Sequence, residues 1–209
     1  MRILRIRYLI LLSSVLVGCA AAYKDLQPAD EGSGCDELTV SSYPKNWFTA
    51  AVDVQGHHLS GLLLIKRMPD GSDRVVFTNE LGVSFFDFEF SESGFKVIQV
   101  INKLDVKAVL NTLKQDFELL LLKGAQAGTP KNYKTVDEVC YAYPWDGKVN
   151  YIFMNAACDL IRLERGSGKK KLVEISFEGK IQNPDIIRVQ HFNFNMRIML
   201  TKIDRDGIE

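Results

Sequence analysis

Val83-Ser84-Phe85-Phe86-Asp87-Phe88-Glu89-Phe90 decides the fold class. In an extended chain Phe86, Phe88 and Phe90 face one way, while Asp87 and Glu89 face the other. A half-buried antiparallel strand has that pattern. Reading outward, Ser91 to Gly94 turns the chain and Phe95 to Ile101 is the next strand. On the other side, Asp73 to Asn79 precedes it. Before that, Pro69-Asp70-Gly71-Ser72 is a turn in which Pro presets φ and Gly accepts φ > 0. Trp47 to Val54 and His58 to Met68 are rich in β-forming residues and join around Gln55-Gly56.

Beyond Ile101 the period changes. Val106, Leu110, Leu113, Phe117, Leu120 and Leu121 fall on one helical face. Asp105 is the expected N-cap and Gly124 the expected stop, with Pro130 beyond. Strands then return: Tyr133 to Tyr143, Val149 to Asn155, Asp159 to Arg165, Lys170 to Glu178, Ile186 to Phe192 and Asn195 to Ile203. Pro144-Trp145-Asp146-Gly147 and Gly166-Ser167-Gly168 are turns between them. Val173, Ile175 and Phe177 alternate with Glu174, Ser176 and Glu178; Met196, Ile198 and Leu200 alternate with Arg197 and Thr201. So many strands joined by tight turns predict a meandering antiparallel sheet that curls or closes. The expected fold is mainly β: a curled, partly open antiparallel β-barrel with one amphipathic helix over its concave face.

The first residues are of a different kind. Arg2, Arg5 and Arg7 precede an apolar run, Tyr8 to Val17, that is too short to span a bilayer as a stable helix. The run ends in Leu16-Val17-Gly18-Cys19, which resembles a bacterial lipobox. That resemblance implies cleavage before Cys19, acylation of Cys19 and export. Ala20 follows, where an inner-membrane retention signal would have Asp, so the expected location is the outer membrane, facing the periplasm. The expected organisation is a leader over 1–18, a lipid-anchored tether over 19–46 and a body over 47–209. The tether expectation rests on Ala20-Ala21-Ala22, Pro28 and Gly32-Ser33-Gly34.

Removing 18 of 209 residues leaves 191, enough for one domain with a real core. The full chain balances 26 basic against 26 acidic residues; without the three leader arginines the balance is 23 to 26, or −3. A mildly acidic chain argues against nucleic acid as a partner and against a polybasic membrane patch, so anchoring falls to lipid. Three cysteines follow Cys19, and export permits disulfides. Cys140 and Cys158 can bridge neighbouring strands, or Cys35 can tie the leading segment to the body; one thiol is left over. The spacing fits no zinc pattern. His57 and His58 are adjacent on a strand and so point to opposite faces, which disfavours a shared metal, and no cofactor is expected. Lysines 169 to 171 read as a solvated turn. No Gly-X-Ser-X-Gly, His-Glu-X-X-His or phosphate-cradling loop occurs, and nothing local pairs Cys35 with a histidine, so no enzyme is expected.

Four features together resemble the LolA/LolB-like family of lipoprotein carriers and receptors. They are the lipobox at Cys19; the segment Arg74-Val75-Val76-Phe77-Thr78-Asn79-Glu80-Leu81-Gly82; the helical stretch after the fifth strand; and the closing pair from Pro184-Asp185-Ile186-Ile187-Arg188-Val189 to Met196-Arg197-Ile198-Met199-Leu200. The chain departs from the family at Glu80, where Pro is usual, in a shorter helical insert, and at Cys140 and Cys158. The resemblance implies a half-barrel with an apolar cavity for acyl chains and a transfer loop at Leu81 and Gly82. Phe86, Phe88, Phe90, Leu110, Leu113, Phe117, Val173, Ile175 and Phe177 are then the expected cavity lining. The implied partners are acylated lipoproteins or another amphiphile, the membrane through the anchor, and a periplasmic carrier protein. The reading from a different class is a structural or assembly lipoprotein that fills its interior and binds a protein on its outer face.

Overall fold

A computed structural model describes residues 22–30, 35, 45–54, 56–126, 128–180 and 183–203. The leader and Cys19 lie outside the described residues, as do 31–34 and 36–44. The chain forms one antiparallel sheet. In chain order its strands are β1 Gln27–Pro28, β2 Lys45–Val54, β3 His57–Arg67, β4 Asp73–Thr78, β5 Ser84–Ser91, β6 Gly94–Val100, β7 Lys131–Lys134, β8 Glu138–Trp145, β9 Lys148–Asn155, β10 Leu160–Ser167, β11 Lys170–Lys180, β12 Asn183–His191 and β13 Met196–Lys202. Among the described residues two helices interrupt them, α1 Lys107–Leu120 and α2 Lys123–Gln126.

The strand order is β1-β7-β8-β9-β10-β11-β12-β13-β2-β3-β4-β5-β6. Two meanders are thus joined by pairing of β13 with β2, where Met196 lies opposite Val54 and Lys202 opposite Phe48. β1 and β6 are the two edges, and the sheet does not close. Its turns alternate between two rims. The turns at 79–83, 168–169 and 192–195 lie on one, here the upper rim, together with Gly56 and the exit of β6 into α1. Those at 68–72, 92–93, 135–137 and 156–159 lie on the lower rim.

The phenylalanine alternation does what its pattern predicts. Phe86, Phe88 and Phe90 are buried, and Phe86 and Phe88 stack at 4.3 Å between centroids. On the opposite face Arg74 Nε donates to Asp87 Oδ1 at 2.9 Å. One core joins this face to Leu113, Phe117, Leu119 and Leu120 of α1 and to Val173, Ile175, Ile187 and Val189. A smaller cluster on the outer face holds Cys140, Ala142, Tyr151 and Phe153, with Tyr23 and Leu26 packed on it.

Several expected boundaries are corrected. The single strand expected over Tyr133 to Tyr143 is two, because the chain reverses at Thr135: its N–H donates to the Glu138 carbonyl at 2.8 Å and its Oγ1 accepts from Glu138 N–H at 3.1 Å. Asp105 is not the N-cap of α1; Val106 holds that position and makes no side-chain cap hydrogen bond. Gly124 does not end α1 either. Leu122 makes the break at φ 54°, and Gly124 sits inside α2, where an added Cβ would meet Asn150 Nδ2 at 3.1 Å. The turn expected at 144–147 narrows to Asp146 and Gly147, both at positive φ, as a tight two-residue hairpin requires.

The tether boundary also shifts. Part of the segment expected to stand clear is packed on the body. Tyr23 stacks on Tyr151 at 4.1 Å, Ala22 N–H donates to the Lys169 carbonyl at 3.0 Å, and β1 extends the sheet beside β7. Cys35 is bonded to Cys158, and the Tyr141 hydroxyl accepts from Cys35 N–H at 2.6 Å. Of the disulfide alternatives, the tie from the leading segment is the one formed, and the buried Cys140 is the free thiol. Burial pushes the Cys140 thiol well above its ordinary range, which makes it inert.

Candidate functional site: an apolar cavity beneath α1

A cavity of about 550 Å³ lies between α1 and the upper halves of β12, β13, β2, β3, β4 and β5, within the usual size of a ligand pocket. It is partly open. Its floor comes from inward positions of the strands, including Ala50, Val52, Val54, Leu63, Met196 and Ile198. Its roof comes from Ala108, Val109, Leu113 and Phe117 of α1. The space exists because small residues, Ala50 and Ala108, stand where large ones would fill the gap between helix and sheet. His57, Lys103 and Ala108 are the exposed members of the lining, so the mouth lies toward the upper rim.

The cavity ends at a buried polar row. Asn150, Arg165, Val173 and His191 are successive cross-strand partners and so share the inner face. His191 Nε2 and Asp116 Oδ2 share a hydrogen bond at 3.0 Å, joining β12 to α1. Trp145 Nε1 donates to Glu118 Oε2 at 3.1 Å, and Lys148 Nζ to Gln115 Oε1 at 3.0 Å. These bonds fix the position of α1 over the sheet. Burial raises the Asp116 carboxyl above the ordinary carboxylate range, with the His191 hydrogen bond opposing it. Burial also lowers Arg165, whose guanidinium nitrogens make no hydrogen bond among the described residues.

Of the residues expected to line a cavity, Phe86, Leu113 and Phe117 do. Phe88, Phe90, Val173 and Ile175 are instead buried in packed core, and Leu110 and Phe177 are half-buried against it. The reason is local. Phe88 and Phe90 are filled in by Phe95 and Phe117, and Val173 sits in the polar row beyond the cavity. The missed lining comes chiefly from two places: β2, β3 and β13, and the face of α1 with Ala108, Val109, Thr112, Asp116 and Leu120. The signal of the strands was there, in Met196, Ile198 and Leu200 alternating across from the small residues Ala50 and Val52.

Leu81 stands at the tip of the β4–β5 turn and is 89% exposed. The turn is rigid. Asn79 Oδ1 accepts from the N–H groups of Leu81 at 3.0 Å and Val83 at 2.8 Å, and Gly82 takes φ 82°. The backbone therefore holds the leucine outward rather than folding it onto the sheet. His58 pairs with Asp53 at 2.7 Å on the outer face, opposite His57 at the mouth. Among the described residues no group of His, Cys, Asp and Glu is arranged to hold a metal, and no helix is long and apolar enough to cross a membrane.

The sequence matches no protein-family model and no curated protein. Among solved structures it is similar to a DUF1329 family protein from Desulfovibrio piger, at 10% identity and a TM-score of 0.39, over 81% of this chain and 89% of that one. A likeness at that level carries no part of the argument below.

Proposed function

We propose that this chain is a lipid-anchored outer-membrane lipoprotein with a LolA/LolB-like half-barrel, which takes acyl chains into its cavity and helps deliver lipoproteins to the membrane. The observation that carries the reading is the partly open apolar cavity under α1. Each methylene moved from water into such a space gains about 0.8 kcal/mol. A bilayer offers the same gain per methylene. The cavity is partly open and holds Asp116, Thr112, Lys103 and His57, so a chain gains less there than in a membrane. Transfer then runs downhill without a cofactor. A rigid, outward leucine at residue 81 has no folding purpose and suits contact with acyl chains at the moment of handover. Cys19, if acylated, would keep the domain at the surface.

The test is native mass spectrometry of the chain from Ala20 onward with an added acylated peptide. One-to-one uptake, lost in Thr112→Phe, is the expected result. Thr112 lines the cavity from α1, so the larger side chain occupies the space. No uptake by the folded parent would move the reading to a scaffold. Leu81→Glu should leave uptake unchanged and slow delivery of the peptide to vesicles. Unchanged delivery would remove Leu81 from the mechanism.

A further inference from the structure

Phe192 is 54% exposed and begins the turn between β12 and β13. Its N–H donates to the Leu172 carbonyl at 2.9 Å, and Lys171 Nζ lies 5.5 Å from its ring. Two residues on, Phe194 lines the cavity and packs on His191 at 4.5 Å between centroids. The neighbouring upper-rim turn, one hairpin and about 10 Å away by strand spacing, carries Lys169 and Lys170. Both are exposed and make no ion pair among the described residues. That turn is also where Ala22 is clasped, through its N–H to the Lys169 carbonyl.

Ala22 stands three residues after Cys19. Three residues reach at most about 11 Å when fully extended. An acyl anchor on Cys19 therefore holds the bilayer within that distance of the Lys169 turn, and Phe192 stands on the next upper-rim turn. We infer that the Phe192–Asn195 turn, with Lys169 and Lys170 next to it, is a bilayer-contact surface: Phe192 enters the headgroup boundary and the lysines meet lipid phosphates. The clasp at Ala22 gives the domain one orientation, with the cavity mouth, on the same upper rim, turned toward the membrane. The inference rests on the acylation of Cys19 proposed above and extends it from attachment to orientation. The partner is a lipid surface because the exposed apolar side chain shares the upper rim with unpaired cations, and those cations stand on the turn that the anchor segment is bonded to.

The experiment places a tryptophan at the turn. Full-length Phe192→Trp is purified from membranes and reconstituted into phosphatidylethanolamine–phosphatidylglycerol vesicles with brominated acyl chains. Val136→Trp is the control, since Val136 is 98% exposed on the lower rim. Intact mass first reports acylation. In the acylated protein the expected result is a loss of fluorescence at residue 192, over that of the parent, with none at residue 136. Equal quenching at both, or none at residue 192 in acylated, vesicle-bound protein, overturns the orientation while leaving the anchor standing. An unacylated mass overturns the anchor reading, and the orientation with it.

Discussion

Gly166 shows how one missing Cβ holds a segment in place. It lies within β10, and an added Cβ would stand 2.6 Å from Tyr23 Cε2 and 3.0 Å from Tyr151 Cε2. Tyr23 cannot move aside cheaply, because Tyr151 stacks against it and Ala22 is bonded at Lys169. Gly166→Ala should lower stability by about 1–3 kcal/mol, as overpacking does. In a Tyr23→Ala background most of that cost should vanish, and urea unfolding of the four proteins measures it. Sequence placed Gly166 in a turn, since a glycine pair around a serine reads that way; only the packed Tyr23 explains its place inside a strand. Asp116 supports a second prediction. Its folded pKa is raised above the unfolded value of 3.8, chiefly by burial. A raised value means that its stabilising contribution is complete below 3.8 and is lost as pH climbs through the folded value. Asn keeps the shape, accepts from His191 and does not ionise. Stability of the parent relative to Asp116→Asn should therefore fall from acid toward neutral pH, as urea unfolding across that range would report. A constant difference would mean that the ionised carboxylate is fully compensated by His191 and Arg165. The polar row that contains this pair was illegible in the sequence, because its members come from four strands and a helix.

At the scale of elements, periodicity carried most of the fold and failed at ends. The strands β4, β5 and β6 and the helix α1 lie where alternation and helical spacing put them, since each pattern repeats several times within the element. Boundaries depend on one or two hydrogen bonds, which a pattern does not contain. The start of α1 is the clearest case. Asp105 has the chemistry of an N-cap, but its N–H is bonded to the Ile101 carbonyl in the preceding turn, and the capping position falls one residue later, on Val106. Val106 is half exposed and offers no acceptor to the free N–H groups of the first turn. Val106→Asp supplies an acceptor and a negative charge at the positive end of the helix. The expected gain is about 1 kcal/mol, seen as a rise in Tm at neutral pH. An unchanged Tm would show that the exposed valine contributes as much by packing as a cap would by bonding. The cavity belongs to this scale too. Three of its lining residues were legible because they lie on strongly periodic elements. For the rest, alternation marked strand residues such as Met196, Ile198 and Leu200 as inward-facing, but it does not report whether inward side chains meet or leave a gap.

For the molecule as a whole, an open sheet has two edges to stabilise. β6 runs directly into the loop that starts α1, and the other edge is the short β1, supplied by the leading segment. That segment is fastened at both ends, by Ala22 and Tyr23 at the upper rim and by Cys35 at Cys158 on the lower rim. Cys35 and Cys158 are 123 residues apart in sequence, so the bond closes a long loop in the unfolded chain. Chain-entropy reasoning assigns such a loop about 5 kcal/mol of stabilisation, and native disulfides usually deliver about 2–5 kcal/mol. Cys35→Ser should therefore lower the unfolding free energy by about 2–5 kcal/mol, and reductant should lower the parent to the same level while leaving the variant unchanged. The folded variant should also separate two roles of the strap. Loss of the lower fastening leaves the Ala22 clasp and the Tyr23 stack intact, because these lie at the opposite rim and share no contact with Cys35. Acyl-peptide uptake should persist in Cys35→Ser, since the cavity lining includes neither Cys35 nor Cys158. Loss of uptake in a folded variant would mean that the strap sets the curvature of the sheet, and through it the gap between α1 and β2 in which the cavity lies.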